Sequence, residues 1–476
     1  MSDCGADPRQ KNWTQCCGCV RIFGTFRMGF HWAKLLPAFC GIVATCLAGV
    51  ALDAVWPSGS QPAVGSMGQV TVTELDAYLA APANAITTTE EWIKSLGDAD
   101  SVKRIGAFDL LLHHARASAN GVAASVLQAS PGGVLGSLVH GFNGLAWLLA
   151  MHTGYAIVYF LILVAIWGFF GGAISRAAVL DVCRDEKISL REAFAFAKSR
   201  YMNFAAAPLV PIGFILVGAL ALWLGGLIGA IPAVGEIFVG LAFFIALLIG
   251  FLIALVIVCG AVGLPLLMPA IAADNLDALD ALSTTYSFVG ARPWKTAFCA
   301  LVALCYGAVC MILLKLFVMI MLFAVGHFAG ASMNWGDAYA KEGGQRVKVE
   351  SKLDAMWQAP AFDGGRPFFG SFGERSLSHV SWFGQLCIKV WIYSVWGLVA
   401  ACIVGYFYSA SSVIYVLLRK EVDLTDIEDV YLEDGQGEEG SGTRSADSPT
   451  DGTDEAGDKS APRKAGKSKS KPPNEA

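Results

Sequence analysis

Residues 204–274 read FAAAPLVPIGFILVGALALWLGGLIGAIPAVGEIFVGLAFFIALLIGFLIALVIVCGAVGLPLLMPAIAAD, with a single ionic side chain, Glu236, between Phe204 and Asp274. A soluble domain has no use for so long an apolar run. A helix needs about 20 apolar residues to cross a hydrocarbon core about 30 Å thick. The run can therefore cross twice, and Gly229-Ala-Ile-Pro-Ala-Val-Gly235 supplies the place to turn. It reads as a membrane hairpin with spans at 207–229 and 237–264.

The same criterion, applied outward, places further spans at 34–55, 153–175, 298–327 and 386–416. The expected fold class is all-α: a polytopic membrane bundle of six transmembrane helices. The densest basic segment between spans (Arg176, Arg184, Lys187, Arg191, Lys198, Arg200) should be cytoplasmic, and Arg419-Lys420 after the last span agrees. Both termini then lie inside. Residues 1–33 form a basic cytoplasmic arm before an uncleaved signal anchor. Residues 56–150 form an extracytoplasmic helical loop, with helix starts at Thr73-Glu-Leu-Asp76 and Thr89-Glu-Glu-Trp92. Its segment 107–127 is amphipathic, and the apolar 134–150 is expected to lie in the membrane interface. A second extracytoplasmic loop covers 329–385 within the membrane domain 151–420. Residues 421–476, acidic and then basic with few apolar side chains, are expected to be disordered.

Charged residues make up 15% of the chain, against roughly 25% in soluble domains. No basic stripe with interleaved aromatics points to nucleic acid. The thirteen cysteines sit mostly in apolar runs, where Cys packs as a small hydrophobe, so a disulfide framework is not expected. Cys4, Cys16, Cys17 and Cys19 lack paired-knuckle spacing. His113, His114, His140, His152, His327 and His379 fall on the outer side without a ligand spacing. Neither a cofactor nor a metal is expected, and no catalytic motif is present.

Two cytoplasmic elbows resemble one another. Ser189-Leu-Arg-Glu192-Ala-Phe opens as a capping box and runs to Arg200. Asp277-Ala-Leu-Asp280-Ala-Leu runs to Arg292-Pro-Trp294. Two-span units joined this way would be parallel repeats. These phrases, with Tyr286-Ser-Phe and Arg184-Asp-Glu-Lys-Ile-Ser, resemble the elbows of a bacterial six-span integral membrane domain. That domain is found beside some glycerophosphodiester phosphodiesterases. The resemblance covers about 150–420 and implies the topology and residence in the bacterial inner membrane. The phosphodiesterase barrel, with its His-Arg-Gly signature, is not part of this chain, so hydrolysis is not implied.

Lys315 is the one ionic residue deep inside an expected span. A lysine at a helix centre costs about 2.5–3.5 kcal/mol on insertion scales and so invites a partner. Glu236 and Asp53 are the candidates, making Lys315, Glu236 and Asp53 a candidate intramembrane charge network. It reads either as a structural pair or as an ion or substrate path. Gly168, Gly172, Gly225 and Gly229 stand at small-xxx-small spacing and read as helix-packing glycines. Trp382, Trp391, Tyr393 and Trp396 fit an outer aromatic belt. The function expected first is a non-catalytic scaffold, accessory or envelope-organising protein. The alternative is a transporter or channel for a small or lipid-like solute using Lys315. Expected partners are the lipid bilayer and either other membrane proteins or a second copy of the chain.

Overall fold

A computed structural model describes residues 18–57, 60–67, 70–80, 102–232, 234–333, 338–342, 345–349, 352–360, 376–377, 382–427 and 430–431. The chain divides into a unit ending at Tyr431 and a second unit, Leu432–Ala476. Most of the expected disordered tail, Cys4, Cys16, Cys17, His379 and the helix start at Thr89 lie outside the described residues.

After a 3-10 turn over Gly18–Gly24 come α1 (Thr25–Gly29) and α2 (Trp32–Val55). The next segment holds β1 (Ala63–Met67), β2 (Val70–Thr73), α3 (Glu74–Ala80) and β3 (Val102–Arg104). Two long helices follow, α4 (Ala107–Leu127) and α5 (Pro131–Met151), and then α6 (Thr153–Arg184). The first elbow is α7 (Leu190–Ser199) and α8 (Tyr201–Ala206), leading to α9 (Leu209–Gly229) and α10 (Val234–Asp274). The second elbow, α11 (Ala278–Ala291), leads to α12 (Pro293–Ser332). Beyond it lie β4 (Ala338–Glu342), β5 (Gln345–Val349), α13 (Lys352–Met356), β6 (Ser376–Leu377) and α14 (Trp382–Val422).

Seven helices are long and apolar enough to cross a membrane: α2, α5, α6, α9, the Gly235–Gly260 part of α10, α12 and α14. The chain is an integral, multipass membrane protein. Six of these match the expected spans. The seventh, α5, takes in the apolar 134–150 expected in the membrane interface, and it is long and apolar enough to cross. The segment 56–150, expected to be helical, also carries the three-stranded antiparallel sheet β2-β1-β3, and the loop 329–385 carries another, β5-β4-β6. Strands of two to five residues are too short to show an alternation that sequence reading can use.

The helices outrun the apolar segments, because local backbone chemistry ends them. Asp185 takes a left-handed conformation (φ 57°) after α6, and Asn275 does so (φ 55°) after α10. Asn and Asp adopt that region more readily than other non-glycine residues. The expected capping box forms at α7, with Ser189 and Glu192 each accepting from the other's backbone N–H.

α4 and α5 form an antiparallel hairpin in which Gly133 faces Ser125, Gly141 faces Ser118 and Gly144 faces His114. Both open ends lie at the same end of the bundle, where α2 finishes (the upper end). The Phe108 N–H at the start of α4 donates to Asp53 Oδ1 near the end of α2, at 3.2 Å. α5 ends at His152, whose ring meets Glu74 at 3.0 Å, and α6 begins beside Trp56. The hairpin thus leaves and returns at the upper end.

Burial concentrates at the lower end, in Gly171–Cys183 of α6, Leu266–Ala273 of α10 and Tyr408–Leu418 of α14. These stretches are rich in small residues, such as Gly171-Gly-Ala, Ala270-Ile-Ala-Ala and Ser409-Ala-Ser-Ser412. In lipid, helices gain little from hiding apolar side chains and associate by close backbone approach, which small residues permit. By contrast α9 and the first half of α10 pack mainly on each other, leaving their apolar faces to the bilayer.

Part of the arm expected at 1–33 belongs to this core. α1 crosses α14 so closely that a Cβ on Gly405 would sit 2.9 Å from the Gly29 carbonyl oxygen. A Cβ on Gly29 would lie 2.9 Å from the Tyr406 nitrogen. Gly405→Leu should therefore destabilise the detergent-solubilised protein by about 1–3 kcal/mol, as overpacked cores do. A melting temperature equal to the wild type's would show that the crossing has room to open.

Candidate ligand cavity and its polar borders

A cavity of about 470 Å³ lies among α10, α12 and α14, beneath the α4–α5 hairpin. On α12 its wall is one helical stripe of mostly small or flexible residues: Thr296, Ala300, Ala303, Leu304, Gly307, Met311 and Leu314. On α14 the facing stripe is Ile403, Phe407, Ala410, Ser411 and Ile414. Pro265 and Leu266 of α10 close the third side, and Ala119, Val122 and Leu138 of the hairpin form the roof. The small residues of the α12 stripe, with Ala410 and Ser411 opposite, leave room between the helices. Pro265 and Pro269 each remove a rung of the α10 hydrogen-bond ladder beside it.

Three hydroxyls line the cavity, those of Thr296, Tyr406 and Ser411, and the first two are used internally. Tyr406 OH donates to the Ala303 carbonyl at 2.6 Å, and Thr296 Oγ1 to the Arg292 carbonyl at 2.9 Å. The cavity is partly open, and Leu138, Ile403 and Phe407 at its margin are exposed. A surface exposed within the spanning part of the bundle faces lipid. The volume lies within the roughly 300–1,000 Å³ of sites for small organic ligands.

Lys315 sits just above this space. It does not meet Glu236 or Asp53, which corrects the expected network. Lys315 Nζ donates to Asn120 Oδ1 of α4. Glu236 is exposed at the start of α10, on a hairpin that packs mainly on itself. Asp53 is engaged at the upper end: Tyr155 OH donates to its Oδ1 at 2.7 Å, and the Gln61 side chain donates to its carbonyl at 2.9 Å. Asp53 thus fastens α4 and α6 to the end of α2. Nothing along the chain announced Asn120, because an asparagine in an amphipathic helix carries no membrane signal.

Gly168 and Gly172 face α8: a Cβ on Gly172 would lie 2.7 Å from the Phe204 ring, and one on Gly168 3.1 Å from the Ala205 Cα. Gly229 faces Val239 across the hairpin turn, and Gly225 faces open space. Trp382, Trp391 and Tyr393 are exposed at the start of α14. Trp396 instead receives the Arg116 guanidinium of α4 over its ring at 3.5 Å.

The lower end holds a polar layer that sequence reading missed. Lys34 and Asp181 pair at 2.6 Å with side chains 1% and 9% exposed. The buried Arg176 donates to the Ala272 carbonyl at 2.7 Å and to the Tyr431 carbonyl at 2.8 Å, with its guanidinium over the Phe196 ring. Asp274 accepts from Arg419 at 2.8 Å and from Tyr415 OH at 2.5 Å. The elbows touch, the Asn203 side-chain amide donating to Asp277 at 2.8 Å. The signal was present: Lys34, Arg176 and Asp181 all fall at the inner edges of apolar runs. They read as boundary charges, and only the packing of α2 against α6 turns two of them into a pair. Among the described residues no group of three His, Cys, Asp or Glu side chains is placed to hold a metal ion.

No family model matches the chain, and no curated protein or solved structure matches it either.

Proposed function

We propose that this protein binds the hydrocarbon part of a lipid-like solute in the cavity among α10, α12 and α14, and acts by binding rather than by catalysis. The observation that carries the reading is an apolar space of about 470 Å³ at bilayer depth, partly open towards lipid, whose Tyr406 and Thr296 hydroxyls are already satisfied. It favours the lipid-like solute among the functions read from the sequence. Movement of the solute across the bilayer belongs to the same reading, with the α4–α5 hairpin over the cavity as the element that would have to move.

The topology proposed with it has six crossings and both termini in the cytoplasm. The hairpin of α4 and α5 dips from the outer side and returns, so α5 does not change the parity. The support is that Asp53 and His152 hold the two ends of the hairpin at one end of the bundle. Each elbow helix also folds back on the span before it, α7 on α6 and α11 on α10, in keeping with parallel repeats. The elbow phrases carry the proposed kinship with the bacterial six-span domain, and with it residence in the inner membrane.

Leu304→Trp tests the cavity. The indole fills space among α10, α12 and α14. Crosslinking of a photoreactive acyl chain to peptides of α12 and α14 should fall by about tenfold, a loss of about 1.4 kcal/mol in binding. Labelling of these peptides at the wild-type level in the folded variant would remove the cavity from the function.

A further inference from the structure

Resting on that reading, we infer that Lys315 is the headgroup-binding residue of the cavity, and that the ligand is an anionic amphiphile, with a carboxylate or phosphate on an acyl chain.

An ammonium offers three donors. Among the described residues Lys315 meets one partner, the neutral Asn120 Oδ1. Its neighbours Leu313, Leu316 and Phe317 are exposed apolar side chains. The contrast within the chain is Lys34, another lysine in a spanning helix, which is matched by the Asp181 carboxylate at 2.6 Å. Where the fold buries a lysine for structure it supplies the counter-charge, and at Lys315 it supplies only a neutral acceptor.

By helix rise, Asn120 lies about 20 Å along α4 from the end held by Asp53. That exceeds the reach of a lysine snorkelling to the upper surface. A charge held so deep is costly unless an anion joins it.

Leu314 and Ala119, the residues just before Lys315 and Asn120, both line the cavity, as does Met311 one turn below Lys315. No cation lines the cavity itself. An acyl chain in the cavity therefore brings its headgroup to Lys315 and Asn120 at the roof. A neutral or zwitterionic headgroup would leave the ammonium uncompensated or bring a second cation beside it.

The test uses the full-length protein in detergent micelles, with a photoreactive long-chain fatty acid and its methyl ester as probes. Wild-type protein should capture the acid at least about tenfold better than the ester, and excess acetate should not compete. Lys315→Met should reduce acid capture to the ester's level, and Lys315→Arg should keep the preference. Leu304→Trp should lose capture of both probes. Equal capture of acid and ester by the wild type overturns the headgroup assignment without recourse to any variant. An unchanged acid preference in Lys315→Met overturns it too, while leaving the cavity standing. Competition by acetate would show a site for free anions instead of an amphiphile. Unchanged capture of both probes by Leu304→Trp would instead overturn the cavity on which the inference rests.

Discussion

Asp181→Asn is expected to be the most damaging single substitution in the bundle, costing about 3–5 kcal/mol. The carboxylate lies 2.6 Å from Lys34 Nζ, and both side chains are buried where α2 packs on α6. The amide keeps the shape and a hydrogen-bonding oxygen but removes the charge. Lys34 is left as a buried cation without its counter-ion, and most of the loss comes from that stranded charge. Lys34→Met combined with Asp181→Leu should recover much of the stability, since well-packed apolar side chains of similar volume often replace a buried pair at little cost. Thermal melts of the purified protein in one detergent measure all three. A double variant as unstable as Asp181→Asn would show that the pair does more than neutralise itself.

Arg176→Met should cost about 3 kcal/mol and release the segment after α14. The guanidinium joins two parts of the chain far apart in sequence, donating to the Ala272 carbonyl near the end of α10 and to the Tyr431 carbonyl beyond α14. Hydrogen bonds from a charged donor each contribute about 1.5–3 kcal/mol. Without them the Ala272 oxygen loses a buried partner. Methionine fills much of the volume over the Phe196 ring but donates nothing. The Tyr431 N–H, which donates to the Ala273 carbonyl at 3.0 Å, should then lose protection from hydrogen exchange. Retained protection of that amide would mean that the backbone bond and the buried Val430 hold the segment without the arginine.

Of the tail expected to be disordered, residues 421–427 and 430–431 are described, and Tyr431 is held through its backbone by Arg176 and the Ala273 carbonyl. No backbone acceptor can be read from side-chain composition. The helical hairpin of α4 and α5 teaches the same lesson in the opposite sense. α4 carries Asp109, His113, His114, Arg116 and Asn120, so no apolar window marks it as belonging to the membrane. Three of these are met by partners on other helices: Trp396 for Arg116, the His140 carbonyl for His114 and Lys315 for Asn120.

Membrane residence, the hairpin around Glu236 and the capped elbow at Ser189 were legible along the chain. Each depends on neighbours within about 20 residues: a bilayer demands a continuous apolar run, and a cap is made by residues three apart. The cavity, the pairing of Lys34 with Asp181 and the approach of Asn120 to Lys315 join residues 147 and 195 positions apart in the two polar cases. Such contacts depend on which helices become neighbours and at what depth, and small residues such as Gly405 and Gly172 settle this by permitting close approach. Lys315 stood out from the start as a charge out of place. Its neighbours, a neutral amide and an empty apolar space, came only from the packing of α4, α12 and α14.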